Sequence, residues 1–458
     1  MSDLPEYLTS YVVQSNDIIP IDVVFEGPLA ELGEPKKSIV HSVIKVDSDS
    51  EKVPVTAIEE TYPDRWTTGM ARRDWLFSIL GHRLVVHYKD FVVISSGWTL
   101  TWGVREDYYH STMFPDTSLS VLSITVGLAS FIMCASSYLF GGLGDRFGYK
   151  VKVIAISCCL GYLSLLASAF ATKVYQLFLF QGVLLGLSQG MGLPLYYSIC
   201  SQWFLKKRGL ATGIAVSGNG IGGAIETLIA RRLITELGYK NTLIAFSSVH
   251  AFIWVVAWFL LKERLPPGTN PETKKRWLPK KITGTFYSVA LSMFFGVFGS
   301  FTPYYLITTY TEQVVPSVKF GSLLATVPLI VMSFCLGIGR ITAGQLADAF
   351  GPTNMFFCSF FIGGILQMVF WTFARSYAAI IAFSALNGLI GLATITGFMI
   401  LANAPGQFAG LVIGATILSS SGNNWTAVSL YSGSMQVMGA LCILYARFHK
   451  DRRLFIKV

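Results

Sequence analysis

The chain has 458 residues, 52% hydrophobic and only 13% charged, with a mean hydropathy of +0.54. Soluble domains carry nearer a quarter charged residues, so water is excluded as the main solvent and the recurring long apolar runs read as spanning helices. The net charge is +9, but residues 1–65 hold 13 of the 26 acids and 5 of the 35 basic residues; the basic surplus of the remainder falls in short loops, where it meets lipid headgroups rather than nucleic acid.

In chain order, residues 1–70 are acidic and polar and are interrupted by Pro5, Pro20, Pro28, Pro35, Pro54 and Pro63. They read as a disordered cytoplasmic tail. The first 20 residues lack a basic head followed by an apolar run, so no cleaved secretory signal is expected and insertion falls to the first spanning helix. That helix is expected over 84–104, although Lys89 and Asp90 interrupt it. Apolar runs of spanning length follow at 118–140, 151–171, 175–200, 210–230, 241–261, 284–306, 321–343, 353–373, 377–401 and 426–446. A stretch at 407–420 is short of the roughly 20 residues a span needs, yet without it the last helix would run the wrong way relative to its basic tail.

Twelve helices result, an all-α membrane protein in two bundles of six. The first covers 83–261 and the second 283–447, with a short eleventh helix; a linker at 262–282 contains Pro266, Pro267 and Pro271, and a basic tail covers 448–458. Arg146, Lys150 and Lys152, then Lys206, Lys207 and Arg208, then the linker and tail charges, all follow even-numbered helices. The positive-inside rule therefore puts both termini in the cytoplasm. Arg231 and Arg232 fall on the outer side and break the pattern. Cys134, Cys158, Cys159, Cys200, Cys335, Cys358 and Cys442 all lie in apolar runs without metal-ligand spacing to His, so they read as small buried hydrophobes, and no metal or cofactor is expected.

An internal repeat joins the bundles. Gly141, Leu143, Asp145, Phe147 and Gly148 recur as Gly344, Leu346, Asp348, Phe350 and Gly351, each 203 residues later and each set at the end of an even-numbered helix. This identifies parallel repeats. An Asp and an Arg at such a junction can pair with each other, with helix ends or with the opposite half, while glycines allow close packing. Gly141, Asp145, Arg146, Gly148 and Asp348 are therefore candidates for a cytoplasmic gating loop; a plain topogenic basic loop is the competing reading.

The loop from Gly141 to Lys150 resembles the G-x-x-x-D-R-x-G-[RK] loop of the major facilitator superfamily, with Tyr149 and Lys150 shifted in register. The stretch Gln202 to Gly213, with Trp203, Lys206 and Arg208, and the glycine-rich Ser217 to Gly223 are similar to the fourth-to-fifth helix region of the monocarboxylate porter family, especially its fungal-type branch. Gly339 and Arg340 leading to Ala347 and Asp348 resemble that family's eighth helix. The resemblance spans about 90–450. It implies alternating access about a midplane site, a small-molecule substrate, a monomeric carrier in the bilayer, and an arginine at position 340 that holds a carboxylate. The aspartate that assists proton coupling one turn earlier in animal members is here Leu336. The family's Gly- and Trp-rich opening of helix one and its full eleventh helix are also altered.

Ionisable groups inside a membrane are costly and need a partner or a purpose. Arg340 is the leading substrate contact, with snorkelling to the cytoplasm as the alternative. Glu226, seven residues after Asn219 and on nearly the same helical face, is the proton-coupling candidate; a structural pair with Arg231 or Arg232 is the alternative. Tyr304 and Tyr305, beside Phe301 and Pro303, are expected to line a cavity at a broken helix or else to form an interfacial belt. Asn219 and Asn387 complete the substrate-binding set, whereas Gln181, Gln189, His250 and Gln436 read as interhelical glue. Asn424, in Asn424-Trp425-Thr426, is the sole glycosylation acceptor. No H-E-x-x-H, G-x-S-x-G or P-loop pattern suggests an enzyme. The expected function is secondary transport of a carboxylate-bearing metabolite, directed outward as efflux, at the plasma membrane. The alternatives are proton-coupled import of a short monocarboxylate or vitamin, and a non-transporting sensor.

Overall fold

Proline and glycine set the boundaries of the helices, which the computed structural model describes over residues 97–147, 150–193, 208–260, 283–319, 321–390 and 399–450, together with 10–14 and 17–21. Twelve helices can be followed among the described residues. Helix α1 covers 97–113, with a turn at Thr101, a regular segment Trp102–Tyr108 and a π-helical end Tyr109–Met113. Then come α2 (Leu119–Phe147), α3 (Lys150–Ser168) and α4 (Val174–Leu193), the last carrying a π-helical stretch Phe178–Leu184. Helices α5 (208–237) and α6 (239–260) are separated by Gly238, whose φ of 75° turns the chain back; that left-handed conformation is open to glycine at little cost.

In the second half, α7 is broken into Gly284–Ser300 and Thr302–Val314. Pro303 explains the break, because it has no N–H to give to the preceding turn and its ring crowds the carbonyl four residues back. Helices α8 (Leu323–Phe350), α9 (Pro352–Trp371, ending in a π-helical Gln367–Trp371), α10 (Tyr377–Leu389), α11 (Met399–Ser420) and α12 (Trp425–Lys450) complete the bundle. Seven of the helices are long and apolar enough to cross a membrane by length and composition.

The repeat seen at one loop extends through the packing. A Cβ on Gly186 of α4 would strike Ala129 of α2, and one on Gly388 of α10 would strike the Met332 carbonyl of α8; Ala129 and Met332 are 203 residues apart. Gly161 of α3 lies against Trp254 of α6, and Gly364, at the same offset, lies against Gly433 and Val437 of α12. Across the halves, α5 packs on α8 and α2 on α11. Moving six helices along the chain turns one pair into the other, which is the pairing two parallel repeats produce when they meet face to face. The α5–α8 seam is especially close, since a Cβ on Gly220 would come within 2.4 Å of the Gly337 nitrogen. In lipid, such small-residue contacts replace a hydrophobic driving force with packing.

Three expectations change. The first helix continues past 104 to Met113, because Arg105, Glu106 and Asp107 are buried rather than at an interface; its expected start at 84–96 lies outside the described residues. Helix eleven is not short. As described it covers Met399–Ser420, and the described part of α10 covers Tyr377–Leu389; residues 391–398 of the expected tenth span lie outside the described residues. Asn403 and Pro405, which fell between the expected spans, lie inside α11, as does Gln407, the first residue of the expected stretch. The linker 262–282 and tail residues 451–458 lie outside the described residues. In a separate unit, Ser10–Gln14 pairs antiparallel with Asp17–Ile21, Ser10 opposite Ile21, a hairpin absent from the reading of 1–70 as a disordered tail; most of 1–70 lies outside the described residues.

Candidate functional site

Where the two halves meet, α8 presents Arg340 to α5. Its Nη1 donates to the Val216 carbonyl at 3.1 Å, so a cation of the second half is tied to backbone of the first. The side chain is half-buried, and its charge reaches Tyr304. The break in α7 puts Tyr304 and Tyr305 at the start of its second segment, where both are buried, with Tyr305 stacked on Phe301 at 6.1 Å. An interfacial belt is therefore ruled out for this pair. The two adjacent tyrosines face different cations, since Tyr305 feels Arg105 of α1 while Tyr304 feels Arg340. Asn219 lies on α5, one turn beyond Val216, and its Oδ1 is buried without a hydrogen-bond partner among the described residues. Asn387 does not join this group through a hydrogen bond; its Nδ2 faces the Met332 sulfur at 3.7 Å, which ties α10 to α8.

The first half contains a buried polar hub that the sequence reading missed. Arg105 is 2% exposed, donates from Nη1 to Gln181 Oε1 at 2.6 Å and from Nη2 to the Trp98 carbonyl at 2.9 Å, and lies over the rings of Trp98 and Trp102 at 4.4 and 5.0 Å. Gln181 in turn donates to the hydroxyls of Tyr109 and Tyr239, which bond each other. A guanidinium gives up part of its hydration at low cost when it is bonded in its plane and stacked on both faces, so the hub can hold a cation at membrane depth. The sequence signal was the triplet Arg105-Glu106-Asp107, which resembles a helix end because charges normally mark one.

The other charges are paired locally. Glu106 accepts from Ser123 of α2 at 2.6 Å, and Asp107 meets Arg231 of α5 at 2.6 Å, both buried. Arg232 pairs with Glu236 on the exposed face one turn along. The alternative of a structural pair for Glu226 is not what the structure places there: Arg231 and Arg232 are engaged by other carboxylates, and Glu226 faces His250 of α6 at 3.4 Å. Glu226 and His250 are both buried. Arg231 consequently breaks no topological rule, since it is an internal partner and not a loop charge.

At the end of the bundle where α5 begins, Asp348 of α8 accepts from the backbone N–H of Leu210 at 2.9 Å. A carboxylate there satisfies one of the unpaired donors of the first turn and suits the positive end of the helix dipole. Gly141 lies in α2, the side chains of Asp145 and Arg146 and the whole of Gly148 lie outside the described residues, and the repeat's two loops cannot be compared atom by atom. Asn424 is exposed and caps α12, its Oδ1 accepting from Thr426 and Ala427 at 3.1 and 3.3 Å. Its neighbour Trp425 is buried and donates to Gln313.

Comparison with known proteins agrees with this architecture. The sequence model of the Major Facilitator Superfamily matches residues 91–423. The chain is 30% identical over 355 residues to the aspyridones efflux protein of Emericella nidulans, covering 74% of this chain and 70% of that one. It is 27% identical over 384 residues to the agnestins efflux protein of Paecilomyces divaricatus, with 79% and 86% covered. The crystal structure of the nucleoside transporter NupG superposes with a TM-score of 0.59 at 14% identity, covering 80% of this chain and 99% of that one; this likeness concerns the fold alone.

Proposed function

This chain belongs to the major facilitator superfamily, and from that premise we propose that it exports a carboxylate-bearing small metabolite by alternating access, with Arg340 as the partner of the acid. Membership makes it a multi-pass membrane transporter of small molecules. The observation that carries the finer reading is the Arg340–Val216 bond across the α5–α8 seam. A solute bound there touches both halves, so a rocking of one half against the other changes its surroundings and its access. Arginine suits the task, because its planar fork binds a carboxylate through two parallel hydrogen bonds, a geometry an ammonium cannot match. Tyr304 of α7 feels the charge of Arg340, and Asn219 of α5, one turn beyond Val216, has a buried Oδ1 without a partner among the described residues; both are offered as further polar groups for the solute.

The outward direction is supported by two relatives whose names describe efflux of fungal metabolites. Leu336 at the position of the coupling aspartate of the monocarboxylate porters removes one support for import, while the likeness to the fungal-type branch of that family favours a solute larger than a short acid. In this reading the N-terminus is cytoplasmic, the membrane is the plasma membrane, the carrier works as a monomer, and the contact between Asp348 and the start of α5 closes the cytoplasmic side. An N-terminal tag is then protected from external protease in intact cells.

The test is efflux from cells preloaded with a panel of labelled carboxylic acids and their methyl esters. The proposal expects wild type to accelerate efflux of an acid but not of its ester, and Arg340→Gln to lose that acceleration. Equal export of acid and ester, or undiminished acid efflux by Arg340→Gln, overturns it.

A further inference from the structure

We propose that Glu226 and His250 form a proton-exchanging pair inside the first half, separate from the anion-binding seam, and that α1 controls its access. The inference deepens the export reading by supplying a counter-ion, and it rests on that reading for its role in transport. The argument begins with burial. Glu226 is 6% and His250 2% exposed, they face each other at 3.4 Å, and neither carboxylate oxygen accepts a hydrogen bond among the described residues; His250 Nδ1 is likewise without a partner there. Buried carboxylates that serve only structure are normally hydrogen-bonded, as Glu106 is to Ser123. One that faces only an imidazole is set up to gain and lose a proton.

The surroundings show how the site is reached. The backbone of α1 closes over Glu226, such that a Cβ on Gly97 would lie 3.1 Å from Oε1 and 2.9 Å from the Gly223 nitrogen. Further along α1 the helix touches the second half, where a Cβ on Gly103 would meet Leu329 of α8, Thr308 and the Tyr305 carbonyl of α7. One helix thus touches both the proton site and the moving half. The charged groups that act on Glu226 are His250 from α6 and Arg105 from α1. Further along α5, Arg231 is engaged by Asp107; on the α8 side, Arg340 is bonded at Val216, roughly three turns away. Arg105 is fixed by Gln181 and the Trp98 carbonyl and does not bond Glu226 directly, leaving His250 as the group that responds when the carboxylate changes charge. Protonation here adds one H⁺ to the Glu226 carboxylate, with no other bond made or broken.

The proton itself serves as the probe. The full-length protein reconstituted in lipid is titrated while the carboxyl C=O stretch is followed by infrared difference spectroscopy. The wild type is expected to show a buried-carboxyl band that grows as pH falls, and Glu226→Gln is expected to lose it. His250→Gln, which leaves the carboxylate in place, is expected to keep the band with its midpoint moved to higher pH, because the facing ring no longer stabilises the anion. A band unchanged in Glu226→Gln, or an unmoved midpoint in His250→Gln, overturns the assignment. No solute is needed, so failure here is distinguishable from failure of the export reading.

Discussion

The two halves share a scaffold but not a chemistry. In the first half the polar core is charged, with Arg105 held by Gln181 and two indoles, Asp107 joined to Arg231, and Glu226 facing His250. In the second half the equivalent region is neutral. There Gln367 donates to Gln436 at 2.8 Å and is bonded by Ser432, which also donates to the Gly299 carbonyl, and the Tyr310 hydroxyl bonds the Ala374 carbonyl beside Trp371 and Trp425. The offset of 203 that aligns Gly161 with Gly364 aligns Ser164 with Gln367, a hydroxyl with an amide. Close glycine contacts between helices thus recur in both halves, while the polar positions differ. The lesson is that symmetry of fold in such a bundle locates the hinge, whereas asymmetry of charge locates the work.

The comparison breaks most readily at Arg231. Its replacement by Ala leaves Asp107 buried without a counter-charge and should cost about 3–5 kcal/mol. Paired replacement, Asp107→Asn with Arg231→Gln, should recover most of that, as read from thermal unfolding of the purified protein. A small loss in the single variant would mean that the first half's core is not set by its charges. Next comes Arg105→Leu, which removes two hydrogen bonds and two ring contacts and should cost about 2–3 kcal/mol; Arg105→Lys should recover less than half, since an ammonium cannot bond Gln181 and Trp98 while stacked on both rings. On the neutral side, Gln367→Ala should cost only about 1 kcal/mol, and the gap between it and the Arg231 variant measures the asymmetry directly. An effect of the same size belongs to Asn424→Ala, which loses a helix cap worth about 1 kcal/mol. With Trp425 buried and Asn424 engaged as the cap, Asn424→Gln is expected to migrate on a gel like wild type.

How much was legible in sequence follows the same division. Repeats, helix number and the break at Pro303 were readable because glycine, proline and apolar runs act locally. The charged hub was not, since the expected first helix stops at 104 and only the partners Gln181, Ser123 and Arg231, from three other helices, make Arg105, Glu106 and Asp107 internal. The π-helical turns were equally hidden. Tyr109, Gln181 and Gln367 all sit in such turns, and the extra residue per turn re-aims a side chain without any sequence mark. The boundary between α10 and α11 failed for a different reason: residues 377–401 carry no charge and only scattered Ser, Thr and Asn to mark an end, and Asn403 and Pro405, which fell between the expected spans, lie inside a helix. Sequence singled out Arg340, Tyr304 and Tyr305 as candidates, whereas the grouping of Tyr304 with one arginine and Tyr305 with another required the bundle.

The most direct measurement of the central claim, that solute binding and coupling are divided between the halves, compares two transport modes in proteoliposomes for an acid the wild type exports. Exchange of labelled for unlabelled acid at equal pH reads binding and rocking, whereas uphill movement under a pH gradient reads coupling as well. Arg340→Gln is predicted to lose both modes, and Glu226→Gln to keep exchange within about twofold while losing the gradient-driven mode, an isosteric change away from the seam costing little in binding. Loss of both modes in both variants, or retention of gradient-driven movement by Glu226→Gln, would contradict the account.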